Sequence, residues 1–197
     1  GQFRADGNGF ITNSRGLNLT GYMADASGNI IASGPTNLKL STSDLAPKPT
    51  SSYAVGVNLD SRLDLPAVAT FDATNPQSYN KTTSGTVVDS LGNSHQFALF
   101  FQKTAANTWN TFATIDGKVD AAGLPIGVTL GGAASQALQF DSTGAIDPAA
   151  TPFTVSIDLA TINPTLGATS PLDFTLDLTS STQFGSDFGV NALTQDG

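Results

Sequence analysis

The sequence has no cysteine and no glutamate, and it contains a single histidine and a single tryptophan. Without cysteine there is neither a disulfide framework nor a thiolate zinc site. The lone histidine, His95, excludes metal sites built from several histidines and leaves one candidate base for a Ser-His-Asp arrangement. Because no G-x-S-x-G stretch accompanies it, we expect a structural or surface role for His95. We expect no enzymatic activity, no cofactor, and no catalytic, cofactor-binding or metal-binding residues.

Positive charge is also scarce. Eight lysines and arginines face sixteen acidic residues, which gives a net charge of −8 and a pI near 4.2. Binding to nucleic acid or to an anionic membrane requires clustered basic side chains, and here these side chains are scattered singly. The opening G-Q-F-R carries no apolar stretch, and no run approaches the roughly 18 apolar residues of a membrane-spanning helix. We therefore expect neither a signal peptide nor a membrane segment.

All sixteen acidic residues are aspartates, which favour turns over helices because the short side chain competes for backbone donors. A pattern with aspartate first and glycine fourth recurs along the chain and predicts tight turns. The predicted turn residues are Asp25 with Gly28, Asp89 with Gly92, and Asp141 with Gly144. A calcium loop of the EF-hand type closes with glutamate, so we interpret these aspartates as turn initiators and not as metal ligands.

The stretch from Tyr79 to Ile115 has the densest hydrophobic pattern. From His95 to Phe101, the side chains at every second position form one row, and the residues between them form another. This period of two predicts a strand with one face toward a core. A shorter run ending at Asp89 precedes this strand, and Trp109 to Ile115 resumes the alternation, so three antiparallel strands are predicted. We expect Phe97, Phe101 and Trp109 to be core aromatics; the alternative is an aromatic platform that binds sugar.

The same alternation recurs over Ser52–Asp60, Phe153–Leu159 and Leu172–Leu178. Half-buried strands bounded by short turns predict an all-β protein built as an antiparallel barrel or sandwich. The segment from Ser41 to Ser52 holds Pro47 and Pro49 in a cluster of serine and threonine, and we predict a hinge and a domain boundary there.

Three stretches in a fixed order resemble the bacterial flagellar hook protein family. The first is the opening G-Q-F followed by N-L-T-G-Y at Asn18–Tyr22. The second is the central S-Y-N-K, V-D-S-L-G-N-S-H and tryptophan segment. The third is the ending N-A-L-T-Q-D-G. Together they cover essentially the whole chain.

The resemblance implies a structural subunit that polymerises with copies of itself into the curved hook, a flexible tube that transmits motor torque to the filament. Residues 1–50 would be part of a smaller inner β domain, 51–187 an outer β-barrel-like domain, and 188–197 a return segment toward the inner domain. The family's terminal helical segments, which form the inner tube, are missing, so this fragment is expected to be monomeric.

The resemblance further implies export by the flagellar type III route and a place outside the cell in the hook and basal body. The implied partners are the hook cap, the rod and the hook-filament junction proteins. The hinge at Pro47 and Pro49 would bend between stiff domains.

Two alternatives remain at this point. The first is another flagellar axial protein of the rod type, against which the long stretch after Ser52 argues, since rod subunits mostly lack a large outer domain. The second is a secreted carbohydrate-binding β module that uses Trp109.

Overall fold

The computed structural model describes residues 2–24, 29–31, 34–40 and 46–197, and the fold is all-β. The chain divides into two compact units, Gly1–Leu45 and Ala46–Gly197. The predicted all-β class is confirmed.

The first unit contains four short strands in two antiparallel pairs. Strand β1 (Phe3–Ala5) pairs with β2 (Ile11–Asn13), and β3 (Thr20–Gly21) pairs with β4 (Thr36–Asn37). Several large apolar side chains of this unit are exposed, and among its described residues Thr12 is one of the few that are buried.

The second unit contains a four-stranded antiparallel sheet in the order β10-β8-β7-β6. Its strands are β6 (Lys81–Val88), β7 (Ser94–Ala105), β8 (Thr108–Ile115) and β10 (Gln136–Gln139). The three predicted central strands are therefore β6, β7 and β8. Strand β6 is longer than the predicted run because Lys81–Gly85, which show little apolar alternation, pair with Phe97–Phe101 of β7.

A five-stranded sheet in the order β13-β5-β12-β11-β9 forms the second layer. Its strands are β5 (Ser52–Asn58), β9 (Val128–Leu130), β11 (Phe153–Ile157), β12 (Leu172–Asp177) and β13 (Gly189–Gln195). The pairs are antiparallel except β5 with β12, which run parallel. A 3₁₀ helix (Pro148–Ala150) precedes β11, and α1 (Leu159–Ile162) follows it. No described helix is long and apolar enough to cross a membrane.

The main core lies between the two sheets and makes this unit a β-sandwich. Alternate residues of β5 and β12, including Val55, Val57 and Leu176, pack against Phe97 and Leu99 of β7. Apolar residues of one sheet thus cover those of the other, as a two-layer structure requires.

A second, smaller cluster covers the opposite face of the four-stranded sheet. Phe71, from the loop between β5 and β6, stacks on Phe112 with ring centroids 3.8 Å apart and meets Phe100 edge to face. The side chain of Gln102 secures the same loop by donating to the carbonyls of Ala69 and Ser78 at 3.0 and 2.7 Å. Both faces of β7 are consequently buried over Leu99–Gln102.

The ends of the sandwich differ from the predicted domain limits. The compact unit starts at Ala46. Thr50 is buried, its hydroxyl accepts from the N–H of Val88, and its own N–H donates to the Val88 carbonyl. The segment predicted as a return toward another domain contains β13, which pairs with β5 along most of its length. Residues 46–50 and 189–195 therefore belong to the sandwich.

Candidate functional site

Two of the predicted turns are built by one arrangement of hydrogen bonds. Asp89 Oδ1 accepts from the backbone N–H groups of Leu91 and Asn93 at 2.8 and 2.9 Å, and the N–H of Gly92 donates to the Asp89 carbonyl at 3.1 Å. Gly92 has a φ of +85°, a conformation that favours glycine. The turn joins β6 to β7.

The turn at Asp141 repeats this geometry. Its Oδ1 accepts from the N–H groups of Thr143 and Ala145 at 2.7 and 3.1 Å, and Gly144 has a φ of +82°. The hydroxyl of Thr143 also donates to Oδ1. This hydrogen bond makes the largest contribution to lowering the pKa of Asp141.

Among the described residues, the same turn occurs at three places that the sequence interpretation did not single out. In each turn, the side chain of the first residue accepts from the backbone N–H groups two and four positions later. The residue three positions later is a glycine with positive φ. These turns are at Asp6 with Gly9, Asn13 with Gly16, and Asp120 with Gly123. A search for Asp or Asn followed by glycine three residues later would have found them. The predicted turn at Asp25 and Gly28 lies outside the described residues.

His95 lies at the start of β7 between two carboxylates and is 6% exposed. Its Nδ1 is 2.8 Å from Asp116 Oδ2, and its Nε2 is 3.3 Å from Asp89 Oδ2. Burial lowers the pKa of this imidazole, but the hydrogen bonds to Asp116 and then to Asp89 outweigh it, so the pKa of His95 is raised.

The carboxylate of Asp89 is fully buried in this cluster. Burial raises the pKa of Asp89, but donors from Asn93, Leu91 and His95 overcome that effect, so the pKa is lowered. The cluster joins the β6–β7 turn to the end of β8, since Asp116 also accepts from the N–H of Gln96 at 2.9 Å. Its arrangement ties strands together.

Trp109 is 0% exposed, as are Phe97 and Phe101. Its indole N–H donates to Gln183 Oε1 at 2.6 Å, and the amide of Gln183 donates to Asn107 at 2.8 Å. A sugar-binding aromatic platform needs an exposed ring face, so the alternative of a carbohydrate-binding module that uses Trp109 is wrong.

The predicted hinge residues Pro47 and Pro49 are exposed, but the chain beside them is held in place. Asp196, near the end of β13, accepts from the N–H groups of Ser51 and Ser52 at 2.8 and 2.9 Å. It also accepts from the Ser51 hydroxyl at 2.6 Å and from Lys48 Nζ at 3.0 Å. These donors, the Ser51 hydroxyl first, hold the pKa of Asp196 well below its usual range.

Sequence reasoning overlooked this role of Asp196. The ending Q-D-G contributed to the resemblance, but its contacts lie about 145 positions away in the chain, as the pair Ser51–Asp196 shows. No local pattern signals such a contact.

The described residues contain no group of three or more histidine, cysteine or acidic side chains placed to hold a metal ion. The polar clusters around Asp89, Gln183 and Asp196 hold strands, turns and chain ends together. Their common effect is to fix the shape of the sandwich.

Comparisons with known proteins agree on one family. Residues 58–197 match the family described as the flagellar basal body protein FlaE D2 domain. The flagellar hook protein FlgE of Escherichia coli K12 is 41% identical over 114 residues, covering 57% of this chain and 28% of that protein. The flagellar hook protein FlgE of Salmonella typhimurium is 34% identical over 176 residues, covering 88% of this chain and 41% of that protein.

A solved structure is also similar. It is the 32 kDa fragment of the flagellar hook protein FlgE from Caulobacter crescentus, with a TM-score of 0.45 and 16% identity over 60% of this chain and 46% of that one.

The chain thus spans less than half the length of the hook proteins it matches. The matched domain nevertheless covers more than two thirds of the chain and includes most of the sandwich. This chain belongs to the FlaE D2 domain family of flagellar basal body proteins, which includes the flagellar hook protein FlgE.

Proposed function

We propose that this chain is part of a structural subunit of the bacterial flagellar hook. In this proposal the sandwich of Ala46–Gly197 is the stiff outer domain, and residues before it contribute to an inner domain. The subunit polymerises with copies of itself outside the cell and forms the tube that transmits torque. The hook cap, the rod and the hook-filament junction proteins are the further partners that we propose.

The observation that carries the proposal is the way the sandwich is attached. Its first strand, β5, and its last strand, β13, are antiparallel neighbours, so the start of β5 and the end of β13 lie side by side at the same end of the sheet. A compact domain held in this way can project from a polymer without interrupting the chain that builds the polymer. Two buried clusters on β7 make the domain stiff.

A chimera tests the proposal. The matching segment of the hook protein from Salmonella typhimurium is replaced by this chain, and the chimera is expressed in a strain that lacks its own hook protein. Because the flanking segments supply the rest of the subunit, we expect hooks visible by electron microscopy and restored swimming in soft agar.

Two controls make the result interpretable. The native hook protein must rescue the strain, and a chimera with Trp109→Ala should fail, because emptying a buried tryptophan site costs about 3–5 kcal/mol. A chimera that folds and is exported but never polymerises would contradict the proposed function.

A further inference from the structure

The two chain ends of the sandwich are joined by a dense set of hydrogen bonds, which we call the clamp. The clamp consists of Lys48–Ser52 on one side and Gln195–Gly197 on the other. Asp196 supplies most of its bonds, because its two oxygens accept from Lys48, from both the N–H and the hydroxyl of Ser51, and from the N–H of Ser52.

The chemistry of these partners requires a carboxylate. Every group that contacts the Asp196 oxygens is a donor, and an ionised aspartate is the short side chain that only accepts. An asparagine of the same shape would offer one accepting oxygen and would turn its NH₂ group toward other donors. The positive charge of Lys48 adds an ion pair, although its side chain is 66% exposed and the ion pair is therefore weak.

Thr50 connects the clamp to the other sheet. Its hydroxyl donates to Gln195 Oε1 at 3.2 Å and accepts from the N–H of Val88 at 2.9 Å, and its own N–H donates to the Val88 carbonyl. Val88 is the last residue of β6. The carbonyl of Ser51 meanwhile accepts from Thr175 of β12 at 3.0 Å. The clamp is thus fixed to both layers of the sandwich.

Strand β13 depends on such an anchor. It is an edge strand with one neighbour, and its residues from Val190 to Gln195 are exposed, so little apolar burial holds it against β5. Its ladder with β5 is also interrupted by a bulge between Val190 and Ala192. Beyond its ladder with β5, β13 is therefore attached mainly by the hydrogen bonds at its end.

We propose that Asp196 is a positioning residue that pins the end of β13 to the start of β5, making the clamp a rigid base for the sandwich. A consequence concerns the hinge predicted over Ser41–Ser52. Lys48–Ser52 are part of the clamp and so cannot belong to a hinge, even though Pro49 lies among them. The clamp is a property of this chain and does not depend on the hook assignment.

Amide hydrogen exchange and NMR relaxation of the 197-residue chain test this inference. In Asp196→Ala we expect the amides of Ser51 and Ser52 to exchange about tenfold faster, since each loses its acceptor. We expect backbone order parameters over Lys48–Ser51 to fall from the value of rigid backbone, about 0.85. Exchange in β7 and β8 should be unchanged.

Two further variants keep the test decisive. Asp196→Asn retains one acceptor and should give a smaller change at the same amides, so it serves if the alanine variant folds poorly. Asp64→Asn is the matched control, because Asp64 is exposed and its carboxylate makes none of the hydrogen bonds of the described residues. The native fluorescence of buried Trp109 reports whether each variant keeps its core.

The results separate a clamp from a general stabilising contact. Exchange at Ser51 and Ser52 that stays at the native rate in both Asp196 variants would overturn the proposal. Exchange that rises equally in β7 and β8 would also overturn it, because Asp196 would then stabilise the whole sandwich without positioning its ends.

Discussion

At the scale of single residues, the sandwich owes much of its definition to side chains that are each bonded to several strands or turns. The carboxylate of Asp89 forms hydrogen bonds with the β6–β7 turn and with the imidazole of His95. The carboxylate of Asp116 forms hydrogen bonds with the same imidazole and with the backbone N–H of Gln96. Gln183 bonds both Trp109 and Asn107. Asp89, His95, Trp109 and Gln183 are buried, so removing one partner leaves a buried group without its hydrogen bond.

The His95 cluster predicts a pH dependence of stability. The pKa of His95 is raised in the folded state above its unfolded value of about 6.5, so its stabilising contribution is complete below about pH 6.5. The contribution is lost as the pH rises through the folded pKa. Asp89 and Asp116 are the charged groups that face the ring, and the pKa of Asp89 is lowered.

The measurement is urea unfolding of the native chain and of His95→Gln between pH 6 and pH 9. At pH 6 the variant should be less stable by about 2 kcal/mol, since hydrogen bonds to charged groups contribute about 1.5–3 kcal/mol. The difference should shrink toward high pH. A difference that is constant across the range would show that the charge of His95 does not contribute.

At the scale of strands and turns, close approach between the sheets sets the tolerance for substitution. Gly85 in β6 lies opposite the ring of buried Tyr53 in β5, and a methyl group at Gly85 would meet the hydroxyl and ring carbons of that tyrosine. The absence of a side chain at Gly85 therefore allows the two layers to approach closely at this point.

We expect Gly85→Ala to destabilise the sandwich by about 1–3 kcal/mol, the usual cost of overpacking. Tyr53→Phe removes the hydroxyl that the methyl group meets first, so it should recover part of the loss in a double-mutant cycle. Gly189→Ala is the control, because a methyl group there would make an ordinary contact with Asn191. A fully additive cycle would argue that Gly85 matters for another reason, such as its backbone.

Strands that carry a regularly alternating apolar face are those that the sequence predicts. Strands β5, β7, β8, β11 and β12 alternate apolar and polar residues, and the structure has all of them. Strands β9 and β13 were not predicted, for two different reasons. Strand β9 has only three residues, too few to show a period, and β13 is exposed along most of its length, so it has no apolar face. The parallel pairing of β5 with β12 escaped because alternation is the same in either direction.

Polar residues can likewise be predicted from the sequence where their hydrogen bonds are local. Asp89 and Asp141 could be predicted because every bond of their turns lies within four residues. Asp196 and Gln183 could not, because their partners are distant in the chain and only the folded sheet order brings them together.

At the scale of the whole molecule, the two compact units contribute unequally to burial. All the buried hydrophobic side chains of the described residues lie between Tyr53 and Leu178, within the second unit. We therefore expect a chain of residues 46–197 to unfold cooperatively within about 3 °C of the full chain, a change of less than about 1 kcal/mol. Circular dichroism and Trp109 fluorescence measure this.

A shorter chain of residues 53–197 provides the contrast. It keeps the apolar core but lacks Lys48–Ser52, so its transition should lie below that of residues 46–197. A chain of residues 46–197 without a cooperative transition would contradict the assignment of the core to the second unit.

The antiparallel pairing of β5 and β13 also decides how this domain meets mechanical force. If its two connections are pulled apart, the force acts on neighbouring ends of neighbouring strands. It opens their hydrogen bonds one after another, from the bonds of Asp196 to the pair of Tyr53 and Gln195 and then along the strands. Peeling of this kind needs less force than sliding two strands past each other, which breaks many bonds at once. The bonds around Asp196 are the first that such a pull would meet, so they set the force at which the edge strand begins to detach.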